Sequence, residues 1–383
     1  MTRHADKADD YLDYLLKEIK YRARSCSNKI IRQLHLGGGT PSFLSKEQLT
    51  RLMVCLKQHY DFAKNAELGI EIDPREIEIN LIDHLYYLGF NRLSIGVQDT
   101  NQKVQKAINR HQSFGFVRDF IARAQTVGFK SVNIDLIYGL PHQTINTFMQ
   151  TLEDVKVLNP DHISLFSYAH LPSRFAAQRK IRDEWLPNSS EKFALMKLAI
   201  QQLSEQGYDL IGLDHFAKPN DELALAQIEG KLHRNFQGYT TQKECNLVGL
   251  GVSAISKIDN IYSQNHKLLK DYYQAISQQS QSVEKGLILS KDDKIRQYVI
   301  GELMCNLSVD KQQVETLFEI EFDRYFADEL KSLEVFEKDQ LLQITQQQIN
   351  VAHKARLLIR NVCMSFDAYM NNHLNKNRFS KLI

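Results

Sequence analysis

Ile30-Ile31-Arg32-Gln33-Leu34-His35-Leu36 runs straight into Gly37-Gly38-Gly39-Thr40-Pro41, and this junction decides the fold. The first seven residues read as a strand. Three glycines at its end remove the side chains from the strand tip, so a ligand can approach the backbone closely. Pro41 fixes the exit of the turn, and Ser45 with Gln48 reads as a capping box opening the next helix.

Working outward, strand-like segments recur at Glu67–Asp73, Asn91–Gln98, Ser131–Gly139, His162–Ala169 and Tyr208–His215. Amphipathic stretches separate them, such as Leu49, Leu52, Met53 and Leu56, and later Leu81, Leu85 and Leu88 closed by Gly89. This alternation predicts an α/β fold: a parallel sheet covered by helices, as a closed or partial barrel. Toward the N-terminus, Ala8, Leu12, Leu15 and Ile19 give a helix period before any strand. In a repeating strand–helix fold each helix follows its own strand. The expectation is therefore a fragment, or a start assigned too late, with the first strand missing.

Parallel strands are usually apolar on both faces, and these are not. Leu68, Ile70 and Ile72 oppose Gly69, Glu71 and Asp73; Leu93, Ile95 and Val97 oppose Arg92, Ser94, Gly96 and Gln98. Val132, Ile134 and Leu136 oppose Asn133 and Asp135, and Gln33 shares a face with His35. Burying such groups without partners costs about 1–3 kcal/mol each. The economical reading is a polar interior that lines a ligand cavity, with the apolar faces packed under the helices.

Beyond residue 215 the rhythm changes. His233-Arg234-Asn235-Phe236-Gln237-Gly238-Tyr239 is a polar and aromatic loop, and Gln278 to Ser282 resembles a linker. Gly249-Leu250-Gly251-Val252-Ser253 lacks the third glycine and the later acidic residue of a dinucleotide fingerprint. From Asp292 onward the pattern is mainly helical, with a strand pair near Leu341–Thr345 and Ile349–Val351, suggesting a winged-helix-like domain. The division expected is 1–257 for the barrel and its extension, 258–290 connecting, and 291–383 helical.

Lys plus Arg is 48 against Asp plus Glu 46, which removes the basic excess of a nucleic-acid binder. No apolar run approaches the roughly 18 residues of a membrane span, and the first ten residues are polar, unlike a signal peptide. Five scattered cysteines (Cys26, Cys55, Cys245, Cys305, Cys363) fit reduced thiols in a cytoplasm. Cys55, among Leu52, Met53 and Leu56, is expected to be a buried inert thiol.

Six motifs in order carry a resemblance: Leu36 to Pro41, Glu71 to Arg75, Arg92 to Asp99, Asn133 to Pro141, Asp214 to Phe216 and His233 to Tyr239. Together they resemble the oxygen-independent coproporphyrinogen III oxidases, radical S-adenosylmethionine (SAM) enzymes of haem biosynthesis. The resemblance spans the whole chain, and the C-terminal domain with the His233–Tyr239 loop favours the oxidase over its haem-chaperone relatives. It implies a partial parallel (β/α) barrel of radical SAM type, two bound SAM molecules, a [4Fe–4S] cluster and coproporphyrinogen III as substrate. Matching positions for one SAM are Gly38, Glu71 and Ile255; for the second they are Gly39, Thr40, Gln98, Arg110, Asp135 and Ala169. Glycine backbone accommodates a methionine moiety, carboxylates suit ribose hydroxyls or an ammonium, and Arg110 suits a carboxylate.

The implied reaction is oxidative decarboxylation of two propionates to vinyl groups, giving protoporphyrinogen IX, with an electron donor and acceptor that the sequence does not identify. Arg179, and Arg356 with Arg360, are candidate propionate partners, though arginine pairs on helices are commonly surface groups. His215 and His233 read equally as site or structural histidines, and Tyr272, Tyr273 and Phe366 as core. The family's cluster needs three cysteines spaced Cys-x3-Cys-x2-Cys, whereas the nearest pair here, Cys26 and Cys55, is 29 positions apart. The chain as written is therefore expected to be a truncated, cluster-deficient and inactive form, cytoplasmic and monomeric, with no metal ligands of its own. Two alternatives remain: a non-catalytic protein that binds SAM or a tetrapyrrole such as haem, and a cluster-independent isomerase or lyase on an ordinary barrel.

Overall fold

Strand β1 (Ile30–Leu36) forms one edge of the central sheet, and its neighbours follow in chain order. The computed structural model describes residues 6–242, 245–278 and 282–370. Among them the central sheet has seven strands: β1, β2 (Asp61–Ile72), β3 (Arg92–Gln98), β4 (Ser131–Tyr138), β5 (His162–Ser167), β6 (Asp209–Leu210) and β7 (His215–Ala217), ordered β1-β2-β3-β4-β5-β7-β6. β1 through β5 pair in parallel. Helix α1 (Asp6–Ser25) precedes β1. The crossovers are α2 (Lys46–His59), α3 (Leu81–Leu88), α4 (Gln102–Ala107) with α5 (Phe114–Val127), α6 (Ile145–Leu158) and α7 (Ser189–Glu205). α2 opens at the expected capping box, in which Ser45 accepts from Gln48 N and the Gln48 side chain accepts from Ser45 N.

The apolar strand faces do pack under the helices. Leu68, Ile70, Ile72, Leu93, Ile95, Val97, Val132, Ile134 and Leu136 are buried in one core with Leu49, Leu52, Met53, Leu56, Leu85 and Phe120. Cys55 is buried there, as expected. β2 begins six residues earlier than the alternation suggests, because Asp61 pairs with Ile30 and an irregularity follows between Ile31 and Gln33. Regular pleating resumes at the Gln33–Glu67 pair, where the readable alternation starts.

The sixth strand departs from expectation. Tyr208–His215 is not one parallel strand: β6 and β7 form an antiparallel pair, and β7 runs antiparallel to β5. The segment bends at Gly212, and the missing side chain there makes room for Tyr239, whose hydroxyl would lie 2.2 Å from a Cβ.

After α8 (Glu222–Ile228) a hairpin, β8 (His233–Asn235) with β9 (Gly238–Thr240), carries the aromatic loop. A three-stranded antiparallel sheet follows, β10 (Ile255–Ile258), β11 (Ile261–Asn265) and β12 (Val283–Ile288), with α9 (Leu269–Ser277) between its last two strands. Of the linker-like stretch, Gln279, Ser280 and Gln281 lie outside the described residues.

A fully buried carboxylate ties this sheet to α1. Glu18 accepts from Gly251 N (2.7 Å), Asn265 Nδ2 (2.8 Å), Tyr272 Oη (2.8 Å) and Ser282 Oγ (2.6 Å). Gly251 adopts φ +98°, so the glycine pair that mimics a dinucleotide fingerprint serves this turn instead.

The last region builds its own core from Ile295, Val299, Leu303, Phe322, Phe326, Leu333 and Phe366. Its helices include α10 (Lys291–Asn306), α11 (Lys311–Phe318), α12 (Phe322–Tyr325), α13 (Ala327–Lys338) and α14 (Ile359–Met364). A small sheet of β13 (Ser308–Asp310), β14 (Leu342–Ile344) and β15 (Gln348–Val351), ordered β13-β15-β14, contains the predicted strand pair.

Candidate functional site: the upper barrel interior

Register sorts the polar strand faces into two layers. The lower layer, at the strand N-terminal ends, holds Gln33, Glu67 and Arg92. Gln33 Nε2 donates to Glu67 Oε2 (3.1 Å), Thr241 Oγ1 donates to Glu67 Oε1 (3.4 Å), and Arg92 lies 3.7 Å from Glu67 and pairs closely with Glu222. These groups mostly pair with one another, although Arg92 Nε is buried without a hydrogen-bond partner. Glu67 and Arg92 stand outside the cavity lining and only Gln33 reaches it, so the reading of a ligand-facing interior holds mainly for the other half.

The upper layer lies at the strand C-terminal ends, where parallel barrels and α/β sheets place their ligands. In register across neighbouring strands, Glu71, Ser94 and Asn133 share one row and Gly96, Asp135, Ser164 and His215 the next. Asn133 Nδ2 donates to Asp135 Oδ1 (2.8 Å) and to Ser94 Oγ (2.7 Å), Ser94 Oγ lies 3.2 Å from Asp135 Oδ1, and Ser164 Oγ donates to Asn133 Oδ1 (3.2 Å). Burial pushes the Asp135 carboxyl above the usual range, and these neutral donors offset only part of the shift. A carboxylate kept in that state gains from a hydroxyl donor or a cation.

Arg110 reaches into this layer from beyond α4. Its Nη2 donates to Asp73 Oδ2 (3.2 Å) and its Nη1 to Gly96 O (3.3 Å). Asp73 also takes a fork of bonds from Arg75. Burial alone would raise the Asp73 carboxyl; the Arg75 and Arg110 guanidiniums hold it below the usual range. Gly96 provides the clearance, since a Cβ there would sit 2.9 Å from Gln98 Nε2 and 3.1 Å from Arg110 Nη1. Gln98 itself has φ +66°, a conformation costly for a non-glycine residue and concentrated at functional sites. The sequence places Asp73 on the polar face of its strand and in the Glu71–Arg75 motif without marking it as the partner of Arg110, a pairing that spans 37 residues.

At the β1 corner, Gly38 and Gly39 adopt φ +70° and +71°, and a Cβ on either would meet nothing within 4 Å. Packing leaves that space open. Gly38, Gly39, Thr40, Glu71 and Ile255 all line a cavity of about 2590 Å³, bounded also by β1, α1, the β8–β9 hairpin and α10. Gln98, Arg110, Asp135 and Ala169 stand outside that lining. The backbone beside Ala169 is held by Gln178 Nε2 on Ala169 O (3.0 Å) and Lys192 Nζ on Tyr168 O (2.8 Å).

The structure sorts the remaining candidates. Arg179 is exposed and donates to Pro172 O. Arg356 and Arg360 do not act as a pair: Arg356 is buried against Gln227, and Arg360 stands 3.9 Å from Asp214. His215 is buried with its Nδ1 2.7 Å from Asp214, whereas His233 opens onto the cavity. Tyr272 and Phe366 are core; Tyr273 stacks on Tyr14 at the cavity wall.

Open glycines, a buried carboxylate and a guanidinium fit an amino-acid nucleoside such as SAM. The described residues supply no ligand set for a [4Fe–4S] cluster: Cys55, Cys305 and Cys363 are buried, Cys26 and Cys245 are free thiols, and among the described residues no group of three His, Cys, Asp or Glu could hold a metal.

The barrel and its upper layer place the chain in a broad class: residues 3–155 match the family model of the Radical SAM superfamily, which implies SAM and a [4Fe–4S] cluster. The oxygen-independent coproporphyrinogen III oxidase of Salmonella typhimurium is 50% identical over 383 residues, covering 100% of this chain and 84% of that protein. That of Pseudomonas aeruginosa is 44% identical over 386 residues with the same coverage. The solved coproporphyrinogen III oxidase of Escherichia coli, described as a radical SAM enzyme, superposes with a TM-score of 0.95 at 50% identity, covering 96% of this chain and 85% of that one. The chain belongs to the oxygen-independent coproporphyrinogen III oxidases.

Proposed function

We propose that this chain carries the SAM- and substrate-holding barrel of an oxygen-independent coproporphyrinogen III oxidase. At each of two propionates the net change is loss of a hydrogen atom from the carbon β to the carboxylate, loss of CO2 and loss of one electron, leaving a vinyl group. SAM, when bound, supplies the hydrogen-abstracting group. The residues present do not fit the cluster, so the chain as given is read as binding ligands without completing turnover. A monomeric cytoplasmic protein with units 1–257, 258–290 and 291–383 completes the reading; among the described residues no helix is long and apolar enough to cross a membrane.

The chain's own groups divide the work. Gly38 and Glu71, with Ile255 opposite, hold the SAM at the cavity, the carboxylate taking an ammonium or ribose hydroxyls. Gly39, Thr40, Gln98, Arg110, Asp135 and Ala169 hold a second SAM in the upper layer, with Arg110 on its carboxylate. The observation that carries this reading is the contrast between packed apolar faces and the polar upper layer, where Asp135 and Arg110 flank Gly96 and Glu71 faces the cavity that the open glycines line. Calorimetric titration with SAM tests it: saturable binding is expected, and an absence of binding at millimolar SAM would overturn the cradle. Anaerobic treatment with iron and sulfide is expected to give no cluster absorption; its appearance would overturn the cluster-deficient reading.

A further inference from the structure

We propose that His35 is a positioning residue for Glu71, fixing one carboxylate oxygen so that the other faces SAM. This rests on the assignment of Glu71 to the SAM cradle. His35 Nε2 lies 3.2 Å from Glu71 Oε1, linking adjacent strands. Against an ionised carboxylate Nε2 carries the proton and donates. Among the described residues no other side chain or backbone group hydrogen-bonds the Glu71 carboxylate, and that side chain is 44% exposed, toward the cavity.

Two glycines are shaped around the pair. A Cβ at Gly37 would fall 2.6 Å from both His35 Nε2 and Glu71 Oε1, and a Cβ at Gly69 would lie 3.4 Å from His35 Nδ1. The imidazole thus sits in a slot over β2 with its donor edge aimed at one oxygen. An unanchored glutamate on a cavity wall samples several rotamers and must be ordered when ligand binds, which weakens affinity. The imidazole removes that cost in advance. Gly37 therefore has a role separate from Gly38 and Gly39: it clears the pair, and they clear the ligand.

A double-mutant cycle on SAM affinity, read by calorimetry, tests the coupling. Glu71→Ala is expected to weaken binding about tenfold, and His35→Ala severalfold to tenfold. The double variant should be no weaker than Glu71→Ala alone. His35→Gln, whose amide N–H reaches a similar point, should recover most of the loss, while the ligand-free melting temperatures of His35→Ala and His35→Gln agree. Additive losses, or failure of His35→Gln to recover, would overturn the positioning role and leave the cradle standing. Wild-type affinity in Glu71→Ala would overturn the cradle assignment, and the proposal with it.

Discussion

The lower and upper halves of the barrel interior are built from the same strand pattern, yet they have opposite fates. In the lower half, Gln33, Glu67, Arg92, Glu222 and Thr241 spend their polarity on one another. In the upper half, Asp135 keeps only neutral donors, Gly96 holds a gap between Gln98 and Arg110, and Gly38 and Gly39 face open space. Alternation reports that a face is polar. Whether that face closes on itself depends on what crosses it, and the partners Glu222 and Thr241 come from beyond residue 220.

Breaking the lower layer should give the largest change in stability. Arg92→Leu removes the cation between two carboxylates, Glu67 being mostly buried. Breaking a buried pair costs up to about 3–5 kcal/mol; with Glu222 partly exposed, a loss of about 2 kcal/mol in urea denaturation is expected, with SAM affinity within about twofold of wild type. A loss of affinity to match would show that the layers are not independent.

The upper layer should answer in the opposite currency. Arg110→Gln is expected to weaken SAM binding by on the order of 10- to 100-fold, as for a charge-assisted contact, with less than about 1 kcal/mol lost in denaturation. Equal effects on both measurements would mean that Arg110 is a structural brace for Asp73.

Asp135 sharpens the contrast through pH. Its folded carboxyl titrates above its unfolded value because it is buried. Its contribution to stability is therefore fully present below the unfolded value and lost as pH rises through the folded one. Asp135→Asn should accordingly stabilise the ligand-free protein at pH 7–8. The gain should shrink as pH falls through the raised titration range, because both side chains are then neutral. Melting curves from pH 5 to 8 check this, and a pH-independent difference would contradict it.

The smallest effect is geometric. Gly96→Ala crowds Gln98 and Arg110 and should weaken SAM binding severalfold, with melting nearly unchanged because the far ends of both side chains can shift. In the ligand-free protein Gly39→Ala meets no neighbour and should cost only the strain of its positive φ, about 1 kcal/mol, while its Cβ enters the space assigned to SAM and should weaken binding.

Much of this was legible in the residues. Local patterns encode what neighbours in sequence enforce: the β1 strand and its glycine corner, the α2 capping box, the buried apolar faces of β2, β3 and β4, and the late strand pair. Quoted motifs also pointed to the family. The Tyr208–His215 segment reads as one strand, but it bends at Gly212 with Tyr239, 27 residues later, packed against the bend, a contact that local pattern does not carry. The Gly249–Gly251 pair looked like a loose cofactor motif because its partner, Glu18, lies at the other end of the chain.

By itself the sequence determined the alternation of strand and helix, which face of each strand is oily, and the absence of three closely spaced cysteines, because these depend on composition and near-neighbour spacing. Only the tertiary structure decided which polar groups cancel and which stay available, because hydrogen bonds and ion pairs are settled at about 3 Å between residues that the chain brings from far apart.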